Sequence, residues 1–310
     1  MGILTNIYRK SFLKRYDADE AIPYHSCADY PGLVCEDGSF QNSSGVTIRY
    51  FFFFYEGYRE DRLILFCPGM GAGHIEYYAE VEALCRAGWR VLTLDYTGCG
   101  ESGGERLPSC NAPAKDAAEL LAHLKPREEI IPVGHSLGGY TALNLARMLP
   151  GVTRAVIISG FVSISDELMG VVKLRPIADR IKRYEKKLDP RLGSADNRAY
   201  LAAAQDRLLW IHSTDDPVVN YKYNAGQVLQ IGNPNVRVVT VEHKKHTPHY
   251  SAEAIRKMTA WMGGYYRLCK EKKLNTLAEK QAYFADKPIG QMTEQDPAVY
   301  DEILRFLEAF

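Results

Sequence analysis

No run of apolar residues in this chain is long enough to cross a membrane. The densest one, Phe51-Phe52-Phe53-Phe54, gives way at once to Tyr55-Glu56-Gly57. There is no excess of either charge: 38 lysines and arginines face 38 aspartates and glutamates. A nucleic-acid binder needs a basic surplus to neutralise phosphates, so that class is excluded. There is no C-x-x-C and no cysteine–histidine cluster at zinc spacing; the 7 cysteines are scattered, from Cys27 to Cys269. Such a set reads as reduced thiols and leads to the expectation of a cytoplasmic protein. Residues 1–14 carry scattered positive charge without a sustained apolar centre, which does not fit a secretory signal. Internal repeats and low-complexity linkers are lacking too.

What is present is ordinary globular composition, 46% hydrophobic and 25% charged over 310 residues, with a regular alternation of β and α patterns. Residues 1–30 read as a helical or irregular lead-in. Strands are predicted at 33–40, 46–55, 62–67, 89–95, 130–133, 152–159, 208–212 and 236–241. Helices are predicted near 77–87, 112–124 and 140–148. This alternation predicts a mostly parallel sheet with helices on both faces, in which functional groups collect at the carboxyl ends of the strands. Residues 161–207 break the rhythm with a basic, proline-interrupted stretch and are expected to form a helical cap or lid. Residues 1–160 and 208–264 would then be the core, and 265–310 a C-terminal helical appendage ending in an amphipathic helix.

The sharpest motif is Gly134-His135-Ser136-Leu137-Gly138. It reads G-x-S-x-G between a predicted strand and a predicted helix, the context in which a serine hydroxyl is lifted out of a sheet. A serine nucleophile needs a base, and the base needs a carboxylate. In an α/β sheet these follow in the order serine, acid, histidine. The strand at 208–212 runs into Asp215-Asp216, and the strand at 236–241 runs into a loop holding His243, His246 and His249. That histidine series is a poor metal site, because Lys244-Lys245 would repel a cation and Pro248 breaks a helix.

Four segments together resemble the α/β-hydrolase superfamily, with matching motifs from about residue 60 to 262. They are Pro68-Gly69-Met70-Gly71, the loop from Asp95 to Ser102, the Gly134–Gly138 turn, and the stretch from His212 to Val219. The resemblance implies an α/β-hydrolase fold and a Ser-His-Asp mechanism. The family's acid usually lies three residues after a glycine; Ser213 takes the glycine's place here, which selects Asp216 and leaves Asp215 in reserve. His246 follows Asp216 by 30 residues, a spacing the family commonly shows. His246-Thr247-Pro248 also resembles the His-Asn-Pro of an uncharacterised bacterial subgroup with Gly-His-Ser-Leu-Gly turns. The implied catalytic set is Ser136, Asp216 and His246, with the backbone N–H groups of Met70 and Leu137 as oxyanion donors. His74, His135, Met169 and Val172 are candidate pocket residues. The expected activity is hydrolysis of small or medium carboxylic esters through an acyl-enzyme, with no cofactor and no metal, and a small-molecule ester as the partner. Acyl transfer, thioester cleavage and short-peptide hydrolysis use the same triad. A non-catalytic binding protein on the same fold is the alternative of another class.

Overall fold

The computed structural model describes residues 3–192 and 195–309, without the side chains of Val171 and Val172. The strands are β1 (Val34–Gln41), β2 (Thr47–Phe54), β3 (Arg62–Cys67), β4 (Arg90–Leu94), β5 (Glu129–His135), β6 (Arg154–Ile158), β7 (Arg207–Ser213) and β8 (Val236–Val241). They form one 8-stranded sheet in the order β1-β2-β4-β3-β5-β6-β7-β8. β2 pairs antiparallel with β1 and β4, and every pairing from β4 to β8 is parallel. The helices are α1 (Ile3–Phe12), α2 (Tyr78–Arg86), α3 (Ala112–Leu124), α4 (Leu137–Met148), α5 (Ile164–Val172), α6 (Arg175–Leu188), α7 (Arg198–Ala203), α8 (Ala225–Ile231), α9 (Ala252–Lys270), α10 (Leu277–Phe284) and α11 (Pro297–Glu308). This is the α/β-hydrolase fold.

The central strands are apolar on both faces because helices cover both. Alternation along β3 shows the division: Leu63, Leu65 and Cys67 pack on one side with Leu120 of α3 and Leu145 of α4. Ile64 and Phe66 pack on the other with Val81 and Leu84 of α2 and with Val299, Ile303, Phe306 and Leu307 of α11. The C-terminal amphipathic helix is therefore a covering layer of the sheet. Arg154 anchors it by donating to the carbonyl of Ala309 at 2.6 Å. α9 runs unbroken from Ala252 to Lys270, so a division at 264/265 falls inside a helix.

Between β6 and β7 the chain leaves the sheet to form α5, α6 and α7. α1, which sequence patterning left as an ill-defined lead-in, lies against α6 through a buried polar knot. The Tyr8 hydroxyl donates to Glu185 Oε1 at 2.8 Å, and the Cys110 N–H donates to Glu185 Oε2 at 3.1 Å. Glu185 is fully buried, and burial pushes its carboxyl up to about 7 despite these two bonds. A carboxyl raised by folding stays protonated in the native chain while the unfolded chain ionises. Its contribution to stability is therefore present at low pH and is lost as pH rises from its ordinary value toward 7. Burial also raises Glu76, to about 7, and Glu167, to about 8. Glu185→Gln keeps an acceptor for the Cys110 N–H, offers a donor to the Tyr8 oxygen, and removes the titration. Its loss of stability between about pH 5 and 7 should be smaller than that of the parent, by on the order of 2–3 kcal/mol. Chemical denaturation across that range checks this; parallel pH curves would count against it.

Candidate active site

The serine turn is built by crowding. β5 ends at His135 and α4 begins at Leu137, so Ser136 alone makes the turn, with φ 57° and ψ −120°. A non-glycine residue in this region is strained by about 1–3 kcal/mol and is held there by its surroundings. The Ser136 N–H donates to the Ile158 carbonyl of β6 at 2.8 Å, and its carbonyl accepts from Tyr140 N–H at 3.1 Å. A side chain on Gly134 would strike the Gly138 carbonyl, and one on Gly138 would strike the Cys67 carbonyl of β3. The sequence patterns placed the strand and helix ends several residues further from Ser136; the neighbouring backbones carry both elements right up to it.

The end of β7 supplies the carboxylate. Asp216 is buried and accepts three hydrogen bonds, from Val218 N–H at 2.8 Å, Val219 N–H at 2.9 Å and His246 Nδ1 at 2.8 Å, and His212 Nε2 stands 3.3 Å away. Burial alone would raise this carboxyl, but His212 and His246 outweigh that effect and hold it well below the ordinary range. Asp215 faces elsewhere, accepting from Ser213 Oγ and from Lys245 N–H. His212, which sequence reasoning passed over, is fully buried and fixed in one tautomer. The Trp210 indole N–H donates to its Nδ1 at 3.3 Å, so its ring proton lies on Nε2, facing Val219 O at 2.8 Å as well as Asp216. The available signal was a histidine inside an otherwise apolar strand.

His135 joins three loops. Its Nε2 lies 2.8 Å from the carbonyl of His246, a pairing that requires a proton on Nε2. Its Nδ1, 3.0 Å from the Tyr77 hydroxyl, must then accept. The Tyr77 oxygen accepts in turn from Gly69 N–H at 3.0 Å. One chain of bonds thus links the loop after β3, the serine turn and the histidine loop after β8. Burial, with His246 and His249 nearby, depresses the His135 imidazole far below its ordinary value.

Ser136 and His246 face one cavity of about 300 Å³. Met70 and Leu137 line it, with Tyr8 and Phe12 from α1, Phe161, Ile164, Glu167 and Leu168 from the segment between β6 and β7, and Val218 and Val219 from the loop after β7. The Leu137 N–H opens α4 and has no partner within the helix. His246 is the member of the histidine series that reaches this space; His243 is exposed, and His249 is buried 3.1 Å from Glu80 Oε1. Three of the pocket candidates, His135, His74 and Met169, are not among its lining residues. His135 sits behind the turn. His74 stacks on Phe51 and pairs with Asp95 Oδ1 at 3.0 Å. Met169, one residue past Leu168 on α5, packs on the core cluster. The Val172 side chain lies outside the described residues. Tyr8, Cys110 and Glu167 line the cavity without a sequence motif to announce them. Among the described residues no group of three or more histidine, cysteine, aspartate or glutamate side chains could hold a metal ion, and no helix is long and apolar enough to cross a membrane.

Residues 59–239, more than half of the chain, match the family described as "Serine aminopeptidase, S33". The chain belongs to that family of α/β-hydrolases. It is 31% identical over 121 residues to "Probable esterase PIR7A" of Oryza sativa subsp. indica, covering 38% of this chain and 46% of that protein. It is 32% identical over 169 residues to "Lysophosphatidylserine lipase ABHD12" of Gallus gallus, covering 49% of this chain and 41% of that one. The matches therefore span less than half the length of these relatives. The Pyrococcus furiosus esterase Pf2001 is similar in structure over 84% of this chain and 96% of its own, with a TM-score of 0.58 and 14% identity. Est1E of Butyrivibrio proteoclasticus, solved with ferulic acid, covers 73% of this chain and 98% of its own, with a TM-score of 0.53 and 16% identity. At such identities the likeness is one of fold.

The hydrogen-bond chain through His135 has a spectroscopic consequence. In nitrogen NMR of the histidine rings, His135 should be neutral, protonated on Nε2, with a midpoint below the ordinary value of about 6.5. An Nδ1-protonated ring, or titration at the ordinary value, would contradict the chain.

Proposed function

We propose that this S33-family chain is a serine hydrolase that cleaves small to medium carboxylic esters through an acyl-enzyme. The observation that carries the proposal is the 2.8 Å contact between His246 Nδ1 and Asp216, in a histidine that shares one cavity with a strained Ser136. With Nδ1–H committed to Asp216, Nε2 is the free base. It takes the Ser136 proton as the hydroxyl oxygen attacks the ester carbonyl. The developing oxyanion lies toward the N–H groups of Met70 and Leu137, the latter at the positive end of α4. His246 then protonates the leaving alcohol and activates water for deacylation. Asp216 stays ionised throughout, since three donated hydrogen bonds and the nearby His212 ring favour its charged form.

An ester is favoured over an amide because an alkoxide leaves more readily, and because curated relatives bear esterase and lipase names. The volume of the cavity, at the small end for ligand sites, supports a short or medium acyl group. We assign residues 161–207 the role of a cap over the serine, since Phe161, Ile164, Glu167 and Leu168 come from it. The family description makes short-peptide hydrolysis the competing activity, and aminoacyl anilides offered beside activated esters separate the two.

Ser136→Ala should abolish labelling by a fluorophosphonate and lower ester turnover by on the order of 10⁴ or more. Labelling that survives in the variant removes Ser136 as nucleophile. A parent protein that neither labels nor hydrolyses is a binding protein on this fold.

Asp216→Asn should lower kcat by roughly 10³–10⁴, because the amide favours the wrong His246 tautomer. Asp215→Asn should cost far less, since Asp215 serves Ser213 and Lys245. The opposite ranking in ester kinetics would move the acid role to Asp215.

A further inference from the structure

Among the described residues Glu167 is the one carboxyl in the cavity wall, and the mechanism does not use it. It stands on α5, in the cap, and lines the same space as Ser136 and His246. Its Oε2 is buried, and among the described residues its carboxyl makes no hydrogen bond or ion pair. Its neighbour Asp166 takes the available cations, pairing with Arg175 and Arg198. Among the described residues, the titratable groups that share the cavity wall with Glu167 are Tyr8, Cys110 and His246, the last bonded to Asp216, whose charge acts on the Glu167 carboxyl. α6, which packs on α5, sets Glu185 against Tyr8 and Cys110, and Arg175 against Asp166 and Asp179. On the turn at 221–223, which also packs on α5, Tyr221 is bonded to Thr240 and Lys222 is exposed.

Glu167 is partly buried and shares the wall with Phe161, Ile164 and Leu168, and its buried Oε2 carries an unmet bond that a leucine there would not. In the uncharged form it both donates and accepts a hydrogen bond. An all-hydrocarbon acyl chain would leave it unsatisfied. A chain bearing a hydroxyl or carbonyl at the matching depth would satisfy it.

We propose that Glu167 is a specificity-determining residue that selects esters whose acyl group carries an uncharged hydrogen-bonding function, a hydroxyl or a carbonyl. This rests on the ester-hydrolase reading of Ser136 and names the substrate class for that site. Burial, reinforced by the Asp216 charge, pushes the Glu167 carboxyl up to about 8, so it is the neutral acid at physiological pH. The selection is therefore strongest below that value. It fades as pH rises through it, when the carboxylate loses its donor and puts a second negative charge beside Asp216.

The test compares p-nitrophenyl esters of ω-hydroxy acids with the unsubstituted esters of equal chain length. The readout is the ratio of their kcat/KM values in one preparation, which cancels differences in active fraction and the titration of His246. The ratio in the parent should exceed that in Glu167→Leu by roughly tenfold or more. Glu167→Gln, which keeps a donor and an acceptor, should retain much of the preference and lose its pH dependence near 8. Equal ratios in parent and Glu167→Leu overturn the proposal. So does a pH-independent ratio in the parent, or a preference for ω-ammonium esters over ω-hydroxy esters, which would make Glu167 a cation site.

Calorimetry separates this from failure of the parent reading. Ser136→Ala protein is titrated with ethyl esters of the same two acid series. Preferential binding of the hydroxylated series, in a protein whose parent hydrolyses no ester, would keep the pocket inference and discard the hydrolase. Equal binding of both series, with ester hydrolysis intact, would do the reverse.

Discussion

The carboxyl edge of the sheet depends on how closely the 134–138 turn approaches the ends of β3 and β6. Gly138 lies so near the Cys67 carbonyl that no side chain fits between them, and Ser136 N–H is bonded to Ile158 O. These contacts hold Ser136 in its left-handed conformation. They also bring the start of α4 beside the loop that follows β3. A larger residue at Gly134 or Gly138 would push the turn outward and separate Ser136 from Met70 and from the histidine loop together.

The polar wiring around this edge is buried and directional. His135 takes a single tautomer because one nitrogen faces a carbonyl, and His212 does so because one nitrogen faces an indole N–H. Each fixed ring defines a partner in turn: the His246 backbone in one case, Asp216 in the other. Neither histidine needs to touch a substrate to matter. Their value is that rigid hydrogen bonds keep separate loops in register, which looser apolar packing between loops would do poorly.

The segment between β6 and β7 and α1 line the cavity from outside the sheet. Their share of the wall is aromatic and aliphatic side chains with two embedded acidic or phenolic groups, Tyr8 and Glu167. On the proposed reading, substrate choice would reside in elements that the common fold does not dictate, and the chemistry in elements that it does.

The sequence by itself determined the strand–helix alternation, the serine turn, and the carboxylate and histidine loops. Each of these is written in local chemistry: apolar runs, glycines beside a serine, polar residues at the end of a strand. It also ranked Asp216 above Asp215, by resemblance to a family pattern. What it could not fix was anything set by contacts between distant segments. The roles of His135 and His212 as positioning groups and the displacement of His74 to Asp95 and Phe51 arise from where separate loops meet. The packing of α1 on α6 is decided in the same way. A helical period reports that one face is buried, not which surface buries it. Glu167 is the clearest case: one acidic residue on an amphipathic helix looks like a solvated position until the cap folds over the sheet and turns it into the wall of a cavity.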